Sequence, residues 1–139
     1  MQLTITSVDY APDELYGQTP FVADLIREVP GSDRPDYWLA ALPQALRWND
    51  GGVQREVSHV VLAARWAGTE IAPGVQHLPV SIAYVLDQSV LRDARLEFAK
   101  TKYVAIGIAE DTTGGRKPEP LTQVLSGNIR PLFGVGKPT

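Results

Sequence analysis

The chain has 139 residues and a mass of 15.2 kDa, and 44% of its residues are hydrophobic, which is typical of one globular domain with one core. It contains no cysteine, so disulfides, thiolate metal sites and thiol catalysis are excluded. Its formal net charge of −3 has the wrong sign for general attraction to nucleic acid or anionic membranes. We therefore predict a soluble, cytoplasmic protein without a signal peptide, a membrane-spanning helix, a metal or a cofactor.

Alternating polar and apolar residues predict strands in three parts of the chain, from Gln2 to Asp9, from Val80 to Asp87 and from Tyr103 to Ala109. Twelve glycines and eleven prolines separate these short pieces, and such punctuation favours strands over long helices.

A tight turn is indicated at Asn49-Asp50-Gly51-Gly52, because Asp-Gly and Gly-Gly supply the positive φ angles that hairpins require. The segment ending at Trp48 is therefore predicted to pair antiparallel with the segment from Val53 to Trp66. In the second segment Val60, Leu62, Ala64 and Trp66 share one face and the other face is also apolar, which is typical of an interior strand.

Two segments permit a helix. Phe21 to Val29 fits both helical spacing and alternation, and the turn cluster Pro30 to Pro35 favours a hairpin with Asp36 to Leu42. Ser89 to Lys100 is the next helix candidate, because Ser89 is a suitable N-cap and the apolar residues that follow, up to Phe98, share one stripe. The alternative for this segment is an irregular stretch that leads into the next strand.

These elements predict a β-dominated α+β fold, with an antiparallel sheet of five or six strands and one or two short helices. We place the globular domain at residues 1–111 and an extended, Gly/Pro-rich C-terminal segment at residues 112–139. Residues 1–36 carry seven acidic and two basic side chains, whereas residues 112–139 carry one acidic and four basic ones. The basic side chains either bind an acidic partner or neutralise the N-terminal region of the same chain; they are Arg116, Lys117, Arg130 and Lys137.

Aromatic side chains offer a ligand-binding groove in such a fold, with rings that stack and basic groups that orient the ligand. The alternative is that most of the rings form the core. Tyr37 and Trp38 are adjacent in a predicted strand and so point to opposite faces, and Trp38 is the ring that we expect outside the core. The predicted ligand-binding residues are Tyr37, Trp38, Trp48, Arg47 and His77.

His59 and His77 are the only imidazoles, so a general base of the usual kind must be one of them. His77 is the candidate, because it follows Pro73-Gly74 in a predicted loop. Its possible carboxylate partners are Glu56, Glu70 and Asp87, whereas Glu110-Asp111 is expected to form a solvated turn.

No catalytic motif selects a reaction, since neither Gly-x-Ser-x-Gly nor His-Glu-x-x-His occurs. We therefore predict a non-catalytic binding protein that recognises a protein or a small ligand. One alternative is a small hydrolase or transferase that uses His77 with a carboxylate. The other is a structural subunit of a homo-oligomer.

Overall fold

A computed structural model describes residues 1–117 of the chain. Helical structure in that range is limited to the four-residue helix α1 (Asp13–Tyr16) and to 3₁₀ turns at Gln88–Leu91, Phe98–Lys100 and Thr113–Gly115. The predicted β-dominated antiparallel fold is confirmed, with six strands. They are β1 (Gln2–Asp9), β2 (Phe21–Val29), β3 (Tyr37–Asp50), β4 (Val53–Ala64), β5 (Leu78–Val85) and β6 (Thr101–Asp111).

The six strands close into a barrel in which each strand pairs with its neighbours in the chain and β6 pairs with β1. The closing pair is antiparallel and brings Leu3 opposite Asp111 and Asp9 opposite Ile106. Closure gives each strand a partner on both sides along part of its length. The outer part of the β3–β4 hairpin, from Leu46 to Val57, pairs only with itself, and the first residues of β6, before Ile106, pair only with β5. Closure is more specific than the sheet predicted from the sequence.

Inward-facing side chains fill the barrel. Along β5 the alternate residues Leu78, Val80, Ile82 and Tyr84 are all buried in the main core, as the two-residue period of a strand requires. Gly107 on β6 also faces inward, because a Cβ atom there would lie 2.8 Å from both Ile5 Cγ2 and Ile82 Cδ1.

A second, smaller core lies outside the barrel, under the loop of residues 86–100 that connects β5 to β6. Val90 and Leu96 of this β5–β6 loop pack on outward-facing residues of four strands. The loop thus covers part of the barrel wall that would otherwise expose apolar surface. The strand residues beneath it are Val29, Leu39, Val61 and Val85.

The β5–β6 loop contains no α-helix, so the helix predicted from Ser89 to Lys100 is wrong and the alternative of an irregular segment before β6 is confirmed. The Arg27 side chain donates hydrogen bonds to the carbonyls of Val90, Leu91 and Asp93, at 3.2, 3.3 and 2.8 Å. These contacts satisfy backbone groups that a helix would have paired internally, so short 3₁₀ turns suffice.

The two predicted hairpins are confirmed. In the first hairpin the pairing of β2 with β3 begins with Val29 opposite Tyr37. In the second, β3 pairs with β4 across a turn formed by Gly51 and Gly52, whose φ angles are +61° and +92°. β3 runs on through Pro43 and so joins two segments that the sequence indicates separately, Asp36 to Leu42 and the segment ending at Trp48. The pairing of β3 with β4 is irregular at that point, and the exposed proline therefore leaves no ladder bond broken.

The interior position predicted for β4 is confirmed by the burial of residues 60–64, but β4 ends at Ala64. Trp66 lies beyond it and is 54% exposed, so its predicted place on the core face is wrong. β6 ends at Asp111, and most of the predicted C-terminal segment, residues 118–139, lies outside the described residues. Within residues 1–117 no helix is long and apolar enough to cross a membrane.

Candidate functional site

The five predicted ligand-binding residues lie in different parts of the barrel and do not form one site. Trp48 is buried in the barrel, where its ring meets Tyr84 edge-on at a centroid distance of 5.0 Å. Arg47 is exposed, and its backbone N–H donates to the Gln18 side chain at 2.9 Å. His77 lies in the loop before β5.

Tyr37 and Trp38 point to opposite faces of β3, but the outer ring is Tyr37. Trp38 is half-buried and packs against the main core. Tyr37 packs instead against the second, smaller core outside the barrel. It also contacts Phe98, with ring centroids 5.6 Å apart and ring planes at 68°. The expectation that Trp38 is the ring outside the core is therefore wrong.

An open groove of about 270 Å³ runs along the outer wall beside Tyr37, between the strands and the β5–β6 loop. Phe98 and Tyr103 line it and are 42% and 51% exposed. We call it the aromatic groove. Its remaining lining is Val61, Ser81, Ile82, Ala83, Leu96 and Thr101.

The Tyr37 side of the groove is fixed in place by two contacts. Gly31 lies so close to the rings that a Cβ atom there would come within 2.7 Å of Tyr37 and 3.1 Å of Phe98. The Tyr37 hydroxyl donates to the Asp33 carboxylate at 2.8 Å. Burial, and then this hydrogen bond, raise the pKa of Tyr37 to about 12, so the phenol stays neutral near pH 7.

Tyr37 is predicted from the sequence as a binding residue, whereas Phe98 and Gly31 are not. Phe98 was assigned to the apolar stripe of a helix, and Gly31 to a turn cluster. A proline- and glycine-rich turn of this kind gives no indication that Phe98 approaches it, since Phe98 belongs to the β5–β6 loop, far away in the chain.

His77 has a carboxylate partner, although it is none of the three acidic residues expected. The Nδ1 atom of His77 lies 2.8 Å from Glu110 Oε2, and the His77 backbone N–H donates to the same oxygen at 2.7 Å. Glu110 is 1% exposed, so the prediction of a solvated turn at Glu110-Asp111 is wrong. The Nε2 atom of His77 is buried and has no hydrogen-bond partner among the described residues.

Asp111 is also buried and is held by the segment before His77. It accepts hydrogen bonds from the Thr113 hydroxyl and from the Gly74 N–H, both at 2.6 Å. These bonds, the Thr113 hydroxyl first, lower the pKa of Asp111 to about 2. The adjacent carboxylates of Glu110 and Asp111 therefore hold the β4–β5 loop against the barrel, and His77 is one of the loop residues that they bind.

Tyr84 and Asp50 form a polar cluster where the β3–β4 hairpin meets the barrel. The Tyr84 hydroxyl donates to Asp50 at 2.5 Å, and Lys102 Nζ lies 3.1 Å from the same carboxylate. The hydrogen bond from Tyr84, followed by that from Lys102, lowers the pKa of Asp50. The cluster holds the Tyr84 ring in place against Trp48. Trp48 is therefore part of the barrel core and not of a binding surface.

The predicted partner-binding residues are divided between described and undescribed parts of the chain. Arg116 is exposed, and its guanidinium lies 3.9 Å from the Asp111 carboxylate. Lys117 is exposed. Arg130 and Lys137 lie outside the described residues.

Comparison with protein-family models, curated proteins and solved structures finds no match for this chain. Residues 1–117 contain no cluster of three or more His, Asp or Glu side chains that could hold a metal ion. The described residues therefore offer two candidate sites, the aromatic groove and the His77–Glu110 pair.

Proposed function

We propose that this protein is a non-catalytic binding module whose aromatic groove captures an apolar, aromatic-containing peptide segment of a partner protein. The single observation that carries the proposal is the exposure of Phe98 and Tyr103, which line the groove together with Tyr37. Exposed rings at the rim of a preformed groove are typical hot spots for a protein partner.

Strand pairing at the floor of the groove restricts how a peptide binds there. Val61 of β4 and Ala83 of β5 each have strand partners on both sides, so a peptide lying over them has no strand edge to join. Recognition therefore depends on side chains entering the groove. The Ser81 and Thr101 hydroxyls on its lining offer hydrogen bonds to the peptide.

The dimensions of the groove favour a peptide side chain over an enclosed small molecule. A volume of about 270 Å³ is below that of most small-molecule sites, which enclose their ligands almost completely. The exposed rims of Phe98 and Tyr103 leave the groove open to solvent. An aromatic or branched side chain of a peptide fits this space while its backbone stays outside.

The proposal is tested by selecting short random peptides on the full-length protein and titrating the best one by isothermal calorimetry. We expect the selected peptides to contain aromatic and aliphatic residues, and Tyr103→Ser to weaken the affinity by about tenfold or more. Trp66→Ser is the matched control, because Trp66 is similarly exposed but lies outside the groove, and its affinity should stay at the wild-type value. Equal binding by wild type and Tyr103→Ser would contradict the proposal.

A second candidate function is a small hydrolase or transferase built on His77 and Glu110. It is favoured by their contact, which is the geometry in which a carboxylate orients an imidazole. The buried Nε2 atom counts against it, because a substrate can reach that atom only if the β4–β5 loop moves. His77→Ala should abolish any turnover found for the wild type in a screen of ester, amide and phosphoester substrates, and turnover unchanged in that variant would reject this candidate.

A further inference from the structure

We infer that residues 118–139 of the same chain bind the aromatic groove and compete there with the partner peptide. The inference rests on the proposed function, because it assigns a regulator to the same groove. It is carried by three observations: where the described chain leaves the barrel, what surface lies between that point and the groove, and how apolar residues are spaced beyond Lys117.

The chain leaves the barrel beside the end of β6. Thr112 is tied to β1 by its N–H, which donates to the Gln2 carbonyl at 2.9 Å. Four residues later, the Arg116 guanidinium still lies 3.9 Å from Asp111. The groove is at the other end of the same strand, at Tyr103, which is about 26 Å away along β6 at the usual rise of a strand.

The outer surface of β6 between these two points is apolar. Gly107 faces inward, so its neighbours Ile106 and Ile108 face outward, and both are only half-buried. They line a second shallow groove of about 310 Å³ beside Tyr10, whose side chain is 73% exposed. An apolar path therefore leads from the end of β6 to the aromatic groove.

The sequence beyond Lys117 supplies apolar residues at the matching distance. Leu121 and Leu125 are four and eight residues beyond Lys117, and an extended chain covers about 13 and 26 Å over those intervals. In the proposed arrangement an extended course from Lys117 would bring Leu121 level with the isoleucines of β6, and Val124 and Leu125 level with the groove.

The experiment uses the full chain, whose lack of cysteine allows one spin label to be placed on Thr122→Cys. We expect the label to broaden the amide signals of Ser81, Ala83 and Tyr103 in NMR spectra. Replacing both Leu121 and Leu125 by Asp in the labelled chain should abolish the broadening.

Absence of broadening at the groove would overturn the inference, as would broadening that survives the two Asp substitutions. A mixture of isotope-labelled chains without spin label and spin-labelled chains without isotope tests the remaining alternative. Broadening in that mixture would assign the contact to a second copy and overturn the inference for the same chain.

Competition between residues 118–139 and the partner peptide is measured as a change in the affinity of the selected peptide. Its affinity should rise by about threefold or more in the chain with Leu121→Asp and Leu125→Asp, because the groove is then free, and an unchanged affinity would contradict competition. If the label reports contact but no peptide binds wild type or variant, the proposed function fails while the contact stands. If peptides bind and no broadening is seen, only the further inference fails.

Discussion

Two adjacent carboxylates at the end of β6 illustrate how single residues fix a loop in this protein. Glu110 accepts from His77, and Asp111 accepts from Gly74 and Thr113. Buried carboxylates are costly unless hydrogen bonds satisfy them, so these contacts both stabilise the charges and determine where the β4–β5 loop lies.

Asp111 makes folding stability depend on acid pH. Its pKa is about 2 in the folded protein, below the ordinary 3.8, so its contribution is fully present above about pH 4 and is lost as the pH falls towards 2. A difference of this size corresponds to about 2 kcal/mol. Asp111→Asn should therefore be less stable than wild type by about that amount at pH 7 and nearly equal to it near pH 2.

Urea unfolding at several pH values measures this effect, and the difference between variant and wild type isolates Asp111 from the other carboxylates. Glu70→Gln is the control, because Glu70 is exposed and its substitution should leave the curve unchanged. A constant difference between Asp111→Asn and wild type across the range would contradict the assignment.

Gly107 is needed for close packing inside the barrel. Its absent Cβ would lie 2.8 Å from Ile5 Cγ2 and Ile82 Cδ1, and the branched Ile5 side chain cannot rotate out of the way. We expect Gly107→Ala to lower the free energy of unfolding by about 1–3 kcal/mol. Gly17→Ala is the control, because the nearest atom to its added Cβ would be 3.8 Å away; equal stability of the two variants in urea would refute this account.

At the level of elements, the β5–β6 loop links the barrel wall to the aromatic groove. It carries Leu96 and Phe98, which line the groove, and it is held by Arg27 of β2 and by the hydrogen bond from the Leu96 N–H to the Pro30 carbonyl at 2.8 Å. The positions of Leu96 and Phe98 in the groove therefore depend on the hydrogen bonds that Arg27 and Pro30 make with the loop.

Arg27→Met tests this attachment, because it removes the donors and keeps most of the alkyl chain. Hydrogen bonds from a charged group to a backbone contribute about 1.5–3 kcal/mol. Amide hydrogen exchange in residues 90–96 should therefore become about tenfold faster or more, while the amides of β4 and β5 keep their protection. Arg47→Met, at an exposed position, should change neither; unchanged exchange in Arg27→Met would show that the side chain does not hold the loop.

Strand positions were predictable because alternation and turn residues are local signals, and the β5–β6 loop was not. The stripe of Val90, Leu91 and Phe98 suits a helix, but a helix this short depends on packing more than on propensity. The backbone groups of this segment find partners on β2 and at Pro30, which lie some 60 residues away in the chain.

For the molecule as a whole, closure of the barrel could not be inferred from the strands. Alternation reveals which face of a strand is buried, not whether the first and last strands meet. β1 and β6 pair residues that are about a hundred positions apart, with irregularities after Ile5 and after Ile82 that adjust the register. The burial of Glu110 was hidden for the same reason, because the loop that covers it lies 33 residues earlier.

The central claim, that the aromatic groove is the binding surface, is tested most directly by NMR titration of the isotope-labelled full-length protein with the selected peptide. The account predicts that the largest chemical-shift changes fall on Ser81, Ala83, Phe98 and Tyr103. Changes centred instead on His77 and Glu110, with the groove signals unmoved, would contradict it.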